Sequence, residues 1–404
     1  MTAEDQAAPA RVPRIEPLTR LATGGMADIW LARELGAAGL ERFVVVKRLL
    51  PHLARDPDIV DMFVSEARFV ARLVHPNVVQ IHDLAEDDEG YFLVMEYVEG
   101  CSVRELMSAA YRKGEVLPPN IGICIIEQAC RGAHAAHELT DPSGHLLGLV
   151  HRDISPHNLM IGPTGDVKLL DFGIAKATEA GGTHTGSLKG KCSYMSPEQC
   201  RAFRLDRRSD VFSLGIVLWE LLVGERLFQR DAEFASMEAI VTGDYRLPSE
   251  VRPELPTALD AVVAKALATK VAERYQTADA LRRELLKAAE QSGIRPSRDA
   301  LGDKLVDLLG GRLEQRERAL RTAATADPSV LRDALVPSDS SLQRQGSGSG
   351  SGTGRTGSDD VVTVVQRKSS RPPSDVAPVA GDATDGEPTD AVTLVDRSDR
   401  PPPA

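Results

Sequence analysis

A chain of 404 residues with 42% hydrophobic residues is long enough for a two-lobed soluble enzyme with further segments to spare. Its formal net charge of −11 argues against a nucleic-acid binder built on phosphate contacts. No apolar run is long enough to span a bilayer, no signal-peptide layout opens the chain, and the five cysteines show neither Cys-x-x-Cys spacing nor a disulfide framework, so the cytoplasm is the expected compartment.

Residues 1–13 are Ala/Pro-rich and expected to be disordered. Residues 14–30 read as strand, glycine turn and strand, the turn carrying Leu21, Ala22, Thr23, Gly24, Gly25 and, just beyond, Ile29. Residues 42–48 form a buried-strand run that ends on Lys47. Residues 58–74 have helical periodicity through Ile59, Phe63, Ala67, Val70 and Val74, with Glu66 inside and Asp61 one turn earlier. Two strands, 78–84 and 91–97, flank an acidic turn; the second holds Met95 and Glu96, with Val98 just after it. A long apolar helix is predicted over 120–139, followed by a polar turn cluster at 140–148.

Residues 149–173 then gather groups fit for one metal-phosphate site. Asp153 can accept a proton, and Asn158 can offer a carbonyl oxygen to a hard cation. Asp171 can reach the same cation after a hairpin turning at 162–166. Oxygen donors without a Cys or His cluster favour magnesium over zinc. Beyond lies a Gly/Thr/Ser-rich stretch, 178–191, ending at Tyr194-Met195-Ser196-Pro197-Glu198. A near-continuous apolar helix opens on Asp210 and is expected to be buried.

These motifs, in this order, resemble those of the eukaryotic-type (Hanks-type) serine/threonine protein kinases of bacteria, including those of myxobacteria. His151-Arg152-Asp153 with Asn158, then Asp171-Phe172-Gly173, looks like the catalytic loop and metal-binding motif. The resemblance spans about residues 18–290. It implies an α+β bilobal fold: a small, mainly antiparallel β lobe with one key helix (14–98), and a large, mainly helical lobe (99–292). It also implies ATP and Mg²⁺ as cofactors and protein hydroxyls as acceptors. Asp153 would act as catalytic base, and Asn158 and Asp171 would hold magnesium. Lys47 would hold the phosphates, paired with Glu66, which the Ser65-Glu66-Ala67 context favours over Asp61. The 21–29 turn would cover the phosphates, and Met95, Glu96 and Val98 would form the hinge against adenine. Thr183, Thr185 and Ser187 would be activation-loop phosphosites received by Arg152. Asp210 would tie down the catalytic loop, and Arg274 would pair with Glu198.

Four positions depart from the family pattern. Ala22 and Ala27 occupy the first and third glycine positions of the phosphate loop, where alanine forbids easy positive φ; a stiffer lid is expected. Ser155 stands where the family places lysine, and Lys191 where it places threonine. The cation and hydroxyl are thus expected to be exchanged across one contact, Lys191 supplying the ammonium. The rivals to an active protein kinase are a nucleotide-binding pseudokinase scaffold and a small-molecule phosphotransferase on the same fold. The intact Lys47, Glu66, Asp153, Asn158 and Asp171 argue against the first, and the segment closing at Glu198 against the second.

Past the catalytic region, 293–336 is expected to be an appended segment with two helical patterns, 300–315 and 318–335, packing on the large lobe or dimerising. Residues 337–404 are Gly/Ser/Pro-rich and expected to be extended and disordered. A repeat there, Asp-x-Val-Thr-x-Val-x-Arg, places Thr363 and Thr393 between aliphatics as autophosphorylation sites that could dock a phosphothreonine-reading domain.

Overall fold

The computed structural model describes residues 14–36, 39–172, 192–323 and 335. Five strands build the small lobe: β1 (Arg14–Thr23), β2 (Ala27–Leu35), β3 (Glu41–Leu49), β4 (Ile81–Asp87) and β5 (Gly90–Glu96), in the order β1-β2-β3-β5-β4 with every pairing antiparallel. β3 is central, and its alternation sorts its side chains. Val44 and Val46 are buried on one face with Ala32, Phe92 and Val94. The intervening Val45 and Lys47 therefore lie on the other face, opposite Met95 and Leu93. On that second face sits α1 (Pro57–Val70), capped by the Asp56 carboxylate, which accepts from the Asp58 and Ile59 N–H groups. Phe63, Ala67 and Val70 of α1 join Leu93, Met95 and Phe172 in one cluster.

The large lobe contains a three-stranded sheet, β6 (Cys101–Ser102), β7 (Leu159–Ile161) and β8 (Val167–Leu169). Its helices are α2 (Val103–Arg112), α3 (Pro119–His137), α4 (Pro197–Cys200), α5 (Arg207–Val223), α6 (Glu233–Thr242), α7 (Pro248–Val251), α8 (Thr257–Ala266), α9 (Ala278–Gln291) and α10 (Arg298–Arg321). The apolar helix expected from Asp210 is α5, buried continuously from Ser209 to Val223. It opens earlier than the pattern suggested: Asp206 is its N-cap, its side chain accepting from the Arg208 N–H. Asp210 is thereby released from capping and lies one turn inside.

In the appended region α10 takes in the whole of the first helical pattern, 300–315, and runs into the start of the second; residues 324–334 of the second lie outside the described residues. Gly310 and Gly311 sit within the helix; a Cβ at Gly311 would meet nothing within 4 Å. Residues 1–13 and 337–404, where disorder is expected, lie outside the described residues.

Candidate active site

The catalytic loop is held from behind by Asp210. Its Oδ2 accepts the His151 backbone N–H at 2.7 Å, and its Oδ1 accepts the Arg152 N–H at 2.9 Å. His137 Nε2 lies 2.7 Å from Oδ2, and both side chains are essentially unexposed. Burial alone would raise the Asp210 pKa, but the His137 hydrogen bond and the facing His151 and backbone donors bring it below its ordinary value. Arg152 adopts φ 64°, a left-handed conformation that costs a side-chain-bearing residue about 1–3 kcal/mol. The Asp210 bonds, and Gln199 Nε2 donating to Arg152 O at 2.9 Å, hold it there.

His151 packs its ring 4.7 Å from Phe172 and places Nε2 2.7 Å from Leu170 O. Burial pushes its imidazole pKa below the usual range, so it is a neutral spacer between the loop and the segment ending in Asp171. Asn158 donates its side-chain N–H to the Asp153 backbone carbonyl at 2.8 Å, while its own backbone carbonyl accepts the Leu170 N–H at 2.9 Å. An amide whose nitrogen is so committed presents its oxygen as a ligand. Asn158 thus ties the Asp153 loop to Leu170, the residue before Asp171.

Asp171 has φ 44°, and its Oδ1 receives Lys47 Nζ at 2.7 Å across 124 residues of chain. Lys47 is delivered by β3 and Asp171 by the segment after β8. Their ion pair joins the two lobes at the place where a phosphate chain and a hard cation would share oxygens. The side chains retain 15% and 34% exposure, enough for a ligand to reach them. The donor set fits magnesium with nucleotide: two protein oxygens, from Asn158 and Asp171, leave the remaining positions for phosphate and water.

The turn between β1 and β2 is tight: Gly24 N–H donates to Ala27 O at 2.8 Å. Ala22 pairs with Ile29, and Ala27 with Leu49, both in strand register. The two alanines therefore occupy backbone that any L-residue adopts, and their cost in positive-φ strain does not arise. Gly24 and Gly25 are exposed at the tip with Thr23, whose hydroxyl donates to Asp28 Oδ1 at 2.7 Å. Leu21 is half-buried at the end of β1. Met95 is buried in the cluster with Phe63, and the chain leaves β5 at Glu96 towards Val98. Glu96 N–H donates to Gln80 O at 2.9 Å, and its carboxylate takes Lys168 Nζ at 2.9 Å, a contact the sequence did not reveal.

The segment closing at Glu198 is anchored as the resemblance implied. Arg274 makes two bonds to Glu198, at 2.7 and 2.8 Å, and Ser209 Oγ adds a third at 2.7 Å. Tyr194 donates its hydroxyl to the buried Glu220 at 2.7 Å. Ser155 is buried within the catalytic loop. Lys191, Thr183, Thr185, Ser187, Thr363, Thr393 and the Glu66 side chain lie outside the described residues, so the Lys47–Glu66 pair and the Ser155–Lys191 exchange have no geometry here. The interactions that periodicity could not show are the His137–Asp210 contact, Lys168–Glu96, and the contact of α10 with the small lobe.

The profile described as "Protein kinase domain" matches residues 19–286. "Tyrosine-protein kinase MasK" of Myxococcus xanthus (strain DK1622) is 45% identical over 296 residues, 70% of this chain and 46% of that protein. "Serine/threonine-protein kinase PknB" of Mycobacterium tuberculosis (strain ATCC 25618 / H37Rv) is 39% identical over 274 residues, 66% of this chain and 41% of that protein. The crystal structure of the M. tuberculosis PknI kinase domain aligns with a TM-score of 0.52 at 26% identity, covering 71% of this chain and 99% of that one. The chain spans less than half the length of these curated relatives.

Proposed function

This chain belongs to the protein kinase family, and from that premise we propose that it is a bacterial signalling kinase transferring the γ-phosphoryl group of MgATP to serine and threonine hydroxyls of proteins. The observation that carries this is the Lys47–Asp171 ion pair joining the lobes beside the Asp153–Asn158 loop. Bound MgATP supplies the transferable phosphoryl group and a cation that neutralises its developing charge. The protein's part is positioning and charge placement. Lys47, braced by Glu66, holds the phosphates, and the Leu21–Gly25 turn with Ile29 covers them. Met95, Glu96 and Val98 hold the base. Asn158 and Asp171 ligate magnesium, and Asp153 orients the acceptor hydroxyl and takes its proton.

Ser155 and Lys191 share the γ-phosphate contact in our reading, with the ammonium coming from Lys191. A Lys191→Ala enzyme with unchanged turnover would end that reading. Thr183, Thr185 and Ser187 are activation-loop acceptors whose phosphate Arg152 receives. In support, Arg152 Nε is buried and has no hydrogen-bond partner among the described residues. Thr363 and Thr393 are further acceptors and, once modified, docking sites for a phosphothreonine-reading domain. We assign the reaction to the cytoplasm, in keeping with five unpaired cysteines and with no described helix being long and apolar enough to cross a membrane.

A second reading, tyrosine as acceptor, is favoured by the name of the 45%-identical relative and by the serine in place of the catalytic-loop lysine. Incubation of wild type and Asp153→Asn with radiolabelled ATP and magnesium, followed by phosphosite mapping, tests both. Label on Thr183, Thr185 or Ser187, absent from the variant, is expected. Label confined to tyrosine would establish the second reading. No label, with ATP still bound and no rescue by an upstream kinase, would leave a pseudokinase.

A further inference from the structure

Helix α10 begins beyond the residues that match the kinase profile, yet it touches both lobes. At 24 residues it is about 36 Å long. Its first half belongs to the large lobe. Leu301, Leu305 and Leu309 enter that lobe's core, and Lys304 pairs with Glu115 at 2.6 Å. The approach there is close: a Cβ on Gly302 would lie 2.8 Å from Pro163 O, and one on Gly165 2.0 Å from Arg298 O. Its last turn belongs to the small lobe. Ala319 and Leu320, with Ala323 just past the helix end and Leu335, form a buried cluster with Leu31, against which Leu18, Leu21, Phe43 and Tyr97 pack.

Between the two ends lies Arg316, only 6% exposed. It donates to Gly100 O at 2.8 Å and to Glu105 Oε1 at 2.5 Å. Both partners are themselves fixed. Gly100 has φ 138°, and a Cβ there would fall 1.9 Å from Ile161 O, so only glycine fits. Glu105 uses its other oxygen to accept the Ser102 N–H, closing the capping box of α2. The segment from Tyr97 to Gly100 is therefore clamped at its exit by Arg316 and packed at its entry by the end of α10.

We propose that α10 is a strap across the hinge, and that Arg316 is a positioning residue for nucleotide binding. The strap fixes Leu21 and Tyr97, which flank the slot where the base enters, and limits the hinge motion that opens the lobes. This rests on the nucleotide reading of the β1–β2 turn and of residues 95–98 given above. A helix packed on one lobe alone would add stability without touching the slot; contact with both couples its position to affinity.

The test uses the full chain with Arg316→Met, Arg316→Lys and Leu320→Ser, each checked for folding by circular dichroism. The readouts are mant-ATP binding and the separate KM and kcat for MgATP in phosphoryl transfer. We expect Arg316→Met to weaken mant-ATP about three- to tenfold and to raise KM in step, as loss of a buried charged hydrogen-bond donor implies. The Lys variant should recover part of the loss, and kcat should change less than KM. Leu320→Ser, at the far end of the strap, should act in the same direction, and it decides the matter if Arg316→Met does not fold. Mant-ATP affinity within about twofold of wild type in the folded variants, with only the melting temperature lowered, would make α10 a stabilising appendage and overturn the proposal. Failure of the wild type itself to bind mant-ATP would instead overturn the nucleotide reading, and the strap with it.

Discussion

Arg152 donates its backbone N–H to Asp210 Oδ1 at 2.9 Å across 58 residues, and it does so from a left-handed conformation. The contact sets the path of the catalytic loop one residue before Asp153. Asp210→Asn keeps the shape but turns an N–H₂ towards donors. One backbone N–H is then orphaned in a buried site, at about 1–3 kcal/mol. We expect a stably folded variant with kcat lowered about a hundredfold, the scale on which a misplaced catalytic group costs rate. Steady-state kinetics beside urea denaturation measures both, and undiminished kcat would show that the loop holds its shape without Asp210.

Lys47→Met should separate function from stability. The Lys47–Asp171 pair is partly exposed, and such pairs contribute about 0–1 kcal/mol to folding. Removal of the cation that faces the phosphates should nevertheless lower kcat/KM by at least about a hundredfold. A thermal melt within a few degrees of wild type, together with lost turnover, is the expected pair of results; retained turnover would remove Lys47 from the site.

The opposite balance is expected of Arg274→Met. Arg274 is 2% exposed, makes two bonds to Glu198 and holds the end of the segment that closes at Pro197 and Glu198. Its loss strands a buried carboxylate, at about 3–5 kcal/mol. Glu198→Gln in the same chain should restore part of that, and a double-mutant cycle by chemical denaturation measures the coupling. Strictly additive losses would mean the two residues act independently.

Stability should fall in acid in two stages. Burial lowers the His151 pKa below 6.5, so the folded state resists a proton that the unfolded chain accepts. Stability is then full above 6.5 and declines as pH falls below it. Asp210 and Glu198, both held below their ordinary 3.8 and 4.5 by partners that outweigh burial, add a second decline below those values. Glu220 has the reverse sign: burial raises its pKa above 4.5, so its contribution is present in acid and fades as pH rises through the folded value. Burial lowers the His75 and His82 pKa in the same direction, so they share the upper stage. Denaturation midpoints measured from pH 8 to pH 3 test this, and His151→Gln should reduce the upper stage without abolishing it.

The kind of chain and most of its elements were legible in one dimension because they rest on local periodicity and spacing. Alternation in 42–48 places Lys47 on a strand, and the interval from Asp153 to Asp171 leaves room for one hairpin. The near-continuous apolar run after Asp210 demands burial. What the sequence by itself determined was therefore which residues could do the chemistry and in what order they come. Tertiary structure decided the rest, because those choices depend on which distant groups arrive. Asp206 took the cap and freed Asp210 to receive His151 and Arg152. Strand register made Ala22 and Ala27 harmless, since positive φ is not required of them. Helix α10 runs on past residue 315 to Arg321 because its far end packs on the small lobe, and Arg316 met Gly100 across 216 residues, a pairing no local pattern encodes.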